Sequence, residues 1–146
     1  MSETTKILPD LIEATREGVG FYEAAAQKVQ DKELVKLFRQ MAQAKAVLVH
    51  ELESEVPRRA GRRSTMEWLD EIRNSYRAAG KELGKVDLEF VSQLEQAESC
   101  LLEQVHAVRF DRGNSFLIRV LAMQYEGKAG DLHGQLKSRK KRLMTA

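Results

Sequence analysis

Four stretches of this chain, each more than about 20 residues long, repeat apolar side chains at three- and four-residue intervals, and little punctuation interrupts them. At about 100° per residue, that spacing gathers each set onto one side of a helix. Helix A, expected over Ile7–Val29, turns Leu8, Leu11, Thr15, Gly18, Tyr22, Ala25 and Val29 to one side. Helix B, over Glu33–Glu55, turns Leu34, Leu37, Phe38, Met41, Lys45, Leu48 and Leu52 inward. Helix C, over Asp87–Phe110, offers Phe90, Leu94, Glu98, Leu101 and Val105. Helix D, over Ser115–Leu143, offers Leu117, Leu121, Tyr125, Lys128, Leu132 and Leu136. One apolar stripe on each of four long helices predicts an all-α, four-helix bundle.

The connections set the topology. "QDKE" and "DRGN" are tight turns, so A pairs with B and C with D as hairpins. The B-to-C link is long enough to cross the bundle lengthwise, which suggests the ferritin-like arrangement. A middle helix, expected over Thr65–Leu83, lies in that link, with Ser64 and Glu67 spaced as a capping box. Its Leu69, Ile72 and Tyr76 form a short stripe, and Trp68 is offset from it. This helix either covers the bundle or meets a second subunit. Pro9 is expected in the first turn of helix A, where proline is tolerated.

At 146 residues, residues 1–146 form a single domain large enough to bury a core. The content, 42% hydrophobic and 32% charged with two prolines, fits a folded helical chain. A formal charge of +2 does not by itself point to nucleic acid. One cysteine, Cys100, excludes an internal disulfide and fits a reducing compartment. No apolar run approaches the roughly 18 residues of a membrane span, and "MSETTKILPD" has no basic-then-apolar leader pattern. The expectation is a cytoplasmic protein with no membrane partner.

The segment "LIEATREGVGFYEAAAQKVQDKELVKLFRQMAQAKAVLVHEL" resembles the first hairpin of a bacterial ferritin-like family whose function is not established. The features that carry the likeness are Leu11-Ile12, Glu17-Gly18, Phe21-Tyr22, Ala25-Ala26, Val29, Asp31, Leu34, Leu37-Phe38 and Glu51-Leu52. Glu98 and Gln124 extend it into the second hairpin. The resemblance implies a ferritin-like bundle; it implies no particular activity.

Bundles of that type that bind two iron or manganese ions need a glutamate from each of two helices and a Glu-x-x-His pair from each of the others. This chain has one such pair, Glu103 and His106. Relative to Leu94, Glu103 points about 180° away and His106 about 120° away. Near His50 and His133, the positions that would complete the pair are Val47 and Gly130. Among the metal candidates Glu98, Glu103 and His106, only Glu98 faces inward, and no cofactor is expected. Iron or manganese is the alternative.

Three charged residues fall inside the stripes, each near mid-helix: Lys45, Glu98 and Lys128. A bare carboxylate in a core protonates or destabilises the fold, and pairing with an ammonium reduces that cost. The expectation is a buried polar layer in which Glu98 pairs with Lys45 or Lys128, completed by Gln124, Thr15 and Tyr22. The competing reading has both lysines at the stripe edge, reaching water by their flexible stems.

Two basic clusters are candidate polyanion sites: Arg58, Arg59, Arg62 and Arg63 in the link, and Lys137, Arg139, Lys140, Lys141 and Arg142 near the end. No aromatic residues interleave them, as single-strand binding requires, so a solvated surface is the expectation and a nucleic-acid partner is not. Gly127, Gly130 and Gly134 bare one side of helix D, allowing close backbone approach by another helix. The sequence thus points to a non-enzymatic structural or interaction module that self-associates, the dimer being the simplest case. A metal-binding or oxidative-stress protein of the ferritin-like type is the alternative.

Overall fold

A computed structural model describes residues 3–56 and 66–145, with side chains from Ile7 onward. Five helices make up the described residues: α1 (Glu3–Lys28), α2 (Lys32–Glu53), α3 (Glu67–Gly80), α4 (Leu88–Phe110) and α5 (Phe116–Thr145). Short polar residues start three of them. Asp31 accepts from the amides of Glu33 and Leu34 at 2.9 and 3.2 Å, and Asp87 accepts from Phe90 at 3.0 Å. The Ser115 hydroxyl accepts from Ile118 at 3.2 Å. Each cap satisfies an amide that the first helical turn leaves without a partner.

The main differences from expectation lie at the helix ends. α1 begins at Glu3 rather than Ile7, so Pro9 falls in the second turn, where its ring leaves one helical hydrogen bond unmade. α3 runs from Glu67 to Gly80, shorter than Thr65–Leu83 at both ends, and residues 81–84 form turns. Ser64, half of the expected capping box, lies outside the described residues.

Contacts between helices give the topology. α1 packs on α2, α4 on α5, α1 on α4 and α2 on α5. The start of α4 shares an end of the bundle with the start of α2, since the Phe38 and Phe90 rings lie 6.2 Å apart. The last turns of α5 reach the same end, where Arg139 pairs with Asp31 and Lys140 with Glu95. The four long helices therefore run up, down, down and up. The link from α2 must cross the full length of the bundle, and α3 rides on it.

α3 lies along the seam between α1 and α4. Leu69, Ile72, Tyr76 and Ala79 enter that seam and are buried. Burying Leu69 and Ile72 stabilises the docking by about 1.5–3 kcal/mol each. Trp68 packs partly buried against the core, and its carbonyl meets the Cys100 thiol at 3.9 Å. The middle helix covers the bundle, which resolves one of the two options that the sequence left open.

The inward side of α5 is rotated from the expected stripe. Ile118, Leu121, Ala122, Tyr125, Ala129, Leu132 and Leu136 are buried, while Leu117 is 47% exposed. Ala122 and Ala129 are small enough to sit against the neighbouring backbone, and they draw that side of the helix inward. Gln124 and Lys128, on the opposite edge, are exposed. Their expected place in the buried layer is therefore corrected.

Candidate functional site

Lys45 and Glu98 meet in the middle of the bundle, with side chains 1% and 4% exposed. Lys45 stands on α2 between the buried Met41 and Leu48, and Glu98 stands on α4 between Leu94 and Leu101. The Lys45 ammonium donates to Glu98 Oε1 and, at 2.8 Å, to the Tyr125 hydroxyl. The other carboxylate oxygen, Oε2, accepts from Tyr22 at 2.7 Å and Tyr76 at 2.6 Å. Both oxygens are thus hydrogen-bonded, one to a cation and one to two phenols. Charge-assisted bonds of this kind are about twice as strong as neutral ones.

Every helix takes part: α1 supplies Tyr22, α2 Lys45, α3 Tyr76, α4 Glu98 and α5 Tyr125. The aromatic rings also wall the layer. Tyr22 meets Tyr76 edge-on at 5.7 Å, and Phe21 stacks on Tyr76 at 5.1 Å. Lys45 Nζ lies 5.6 Å from the Tyr125 ring centre and 5.8 Å from that of Tyr22, within reach of a cation–π attraction.

The electrostatics follow from this enclosure. Burial, and then the Glu98 charge, push the phenols of Tyr22 and Tyr76 well above the ordinary range. Burial also raises Tyr125, against the opposing pull of Lys45. For Lys45, burial favours loss of the proton, but Glu98 and Tyr125 outweigh it and the ammonium is held above its ordinary value. The phenols therefore stay protonated, Tyr22 and Tyr76 as donors to Glu98 and Tyr125 as an acceptor from Lys45, and the lysine stays a cation.

Of the layer expected from sequence, Lys45, Glu98 and Tyr22 come together. Thr15 is buried, but its hydroxyl donates to its own helix at Leu11 O, 2.7 Å away, and takes no part. Tyr76 and Tyr125 were missing from that expectation. A phenol in an apolar stripe was the available signal, because a buried hydroxyl needs a partner. All three tyrosines of the chain are in the layer.

Gly18 explains how the lysine fits. A Cβ there would stand 2.6 Å from Lys45 Cδ, 2.9 Å from Cε and 2.9 Å from the Tyr76 hydroxyl. The missing side chain leaves the channel through which the lysine stem passes.

The donors do not fit the two-metal ligand set. Glu98 is committed to Lys45, Tyr22 and Tyr76. Glu103 is exposed, and His106, 62% exposed, faces Glu126 at 3.3 Å. Among the described residues, no group of three or more His, Cys, Asp or Glu side chains is placed to hold a metal ion. Burial, with help from Glu71 and Glu103, pushes the Cys100 thiol up to about 11. Ser99 and the buried His133 stand 3.4 Å apart, and burial, then Lys137, hold that imidazole below its ordinary range.

Much of the C-terminal basic cluster is paired within the fold. Arg139 bonds Asp31 and lies 3.6 Å from Glu33, Lys140 lies 3.0 Å from Glu95, and Arg142 lies 4.0 Å from Glu33. The Arg139 hydrogen bond holds Asp31 below its ordinary value. Lys137 and Lys141 are exposed. Arg58, Arg59, Arg62 and Arg63 lie outside the described residues. No helix among the described residues is long and apolar enough to cross a membrane.

No curated protein matches the chain, and no solved structure does. A family model does match, over residues 3–108, a stretch that includes Tyr22, Lys45, Tyr76 and Glu98 and stops short of Tyr125. The chain belongs to that family, the domain of unknown function DUF2383.

Proposed function

We propose that this protein is a ferritin-like bundle that works without a metal centre, as a structural or interaction module of the cytoplasm that self-associates. The observation that carries the reading is the state of Glu98. In a two-metal bundle an inward glutamate spends its charge on metal ions. Here an ammonium from α2, diagonally across the bundle, takes that charge, and two phenols fill the remaining acceptor sites. A carboxylate satisfied in this way has little left to offer a cation. The ferritin-like assignment draws on the up, down, down, up course of the helices and the single long crossover. The cytoplasm suits a chain with one cysteine, half-buried and free.

Metal analysis of protein purified without chelator tests the reading. The expected result is well under one iron or manganese per chain and no ferroxidase activity. About two metal ions per chain, lost on Glu98→Ala, would establish the oxidative-stress or metal-binding alternative instead.

A further inference from the structure

α3 closes one long seam of the bundle, between α1 and α4. The opposite seam, between α2 and α5, has no covering helix among the described residues, and a cavity of about 310 Å³ lies in it. That is within the range of small-ligand sites, about 300–1,000 Å³. Ala44, Val47 and Leu48 of α2 and Leu121 of α5 give it an apolar lining. The lining follows α2 from Gln40 to Glu51, about 16 Å at the helical rise, which suits an extended chain.

The charges of the cavity are divided along its length. α2 and α5 run in opposite directions, so Lys128 lies toward the Gln40 end and Leu121 toward the Glu51 end. Lys128 is exposed, and its ammonium has no acceptor among the described residues. Tyr125, almost one turn before it on α5, is buried and forms part of the wall. The Tyr125 hydroxyl accepts from Lys45, and its own proton has no acceptor among the described residues. A phenol donates as well as accepts, and an enclosed donor without an acceptor costs stability. The cavity therefore joins two spare donors, one of them charged, to an apolar floor.

We propose that this cavity binds a medium-chain monocarboxylate, a small molecule with an apolar chain and one acidic head. The carboxylate accepts from Lys128 and Tyr125, and the chain lies along Ala44, Leu48 and Leu121. A carboxylate suits the site better than a hydroxyl, because it carries the counter-charge that Lys128 lacks and can accept from both donors at once. A second carboxylate at the far end of the chain is disfavoured by Glu51. The site goes beyond the interaction-module reading and does not depend on it.

Isothermal calorimetry of the full chain with decanoate tests the proposal. The expected result is saturable binding of one decanoate per chain. Decanol, which lacks the charge, and decanedioate, which adds a second, should each bind at least about tenfold more weakly. Lys128→Glu should weaken decanoate binding at least about tenfold, and Val47→Trp, which puts a large ring into the cavity, should do the same. Both positions are exposed, so helical content is expected to stay intact. Lys137→Glu, also exposed on α5 but away from the cavity, should change nothing. Absence of saturable decanoate binding overturns the proposal. So does decanol or decanedioate that binds as tightly, or a Lys128→Glu protein that binds decanoate as well as the parent.

Discussion

Glu98→Leu is expected to destabilise the fold by about 3–5 kcal/mol in denaturant unfolding, and Lys45→Met by a similar amount. Leucine at position 98 strands an ammonium that is 1% exposed and removes the acceptor for Tyr22 and Tyr76. Methionine at position 45 strands the carboxylate. Making both changes removes both charges, so the double variant should cost clearly less than the sum. It is not expected to be neutral, because the Tyr22, Tyr76 and Tyr125 hydroxyls then lose their partners, at about 1–3 kcal/mol for each one left unsatisfied. Arg16 and Glu53, with side chains 51% and 47% exposed, provide the contrast. Removing either should cost about 0–1 kcal/mol, as for other solvent-screened pairs. Strict additivity at Lys45 and Glu98 would show that the two do not depend on each other.

Gly18→Ala is the second large effect. In an exposed helix, alanine gains roughly 1 kcal/mol over glycine. At position 18 the new methyl meets the Lys45 stem and the Tyr76 hydroxyl, both enclosed and both tied to the layer. The expected net result is a loss of about 1–3 kcal/mol, the usual cost of overpacking a filled core. Gly20→Ala, on the same helix with nothing within 4 Å, should stabilise by about 0.5–1 kcal/mol. Thermal or denaturant midpoints of the two variants should therefore move in opposite directions. A stabilised Gly18→Ala would mean that the lysine stem does not run past this glycine.

The long stripes made the bundle legible, because their period picks out the buried side of α1, α2 and α4 and, within a rotation, that of α5. Lys45 and Glu98 were legible for the same reason: a charge at the centre of an apolar stripe, midway along its helix, has nowhere to go but the core. Lys128 looked similar but lies about 60° from Tyr125. The small Ala122 and Ala129 shift the true stripe to the other side, and a reading weighted toward large side chains passes over them. Tyr76 could be seen facing inward, but its contact with Glu98 depends on how α3 docks on the α1–α4 seam. That placement is a tertiary fact with no local periodicity behind it. The need for Gly18 was hidden too, since it arises from a lysine on a different helix.

The phenols offer the most direct test of the closed layer, because Tyr22, Tyr76 and Tyr125 are the only tyrosines in the chain. The sign of the pH dependence follows from the raised values. Each phenol contributes stability that is whole below the ordinary 10.0 and is lost as pH rises through its folded value. Lys45 behaves alike, with its contribution whole below 10.5 and fading above it. All four groups therefore favour the fold up to about pH 10 and weaken it beyond. Phenolate absorbance, followed together with helical content through an alkaline titration, reads both events at once. The account predicts no phenolate while the protein is folded, then phenolate and unfolding together in one step above pH 10. A tyrosine that ionises near its ordinary 10.0 in protein that keeps its full helical content would contradict it.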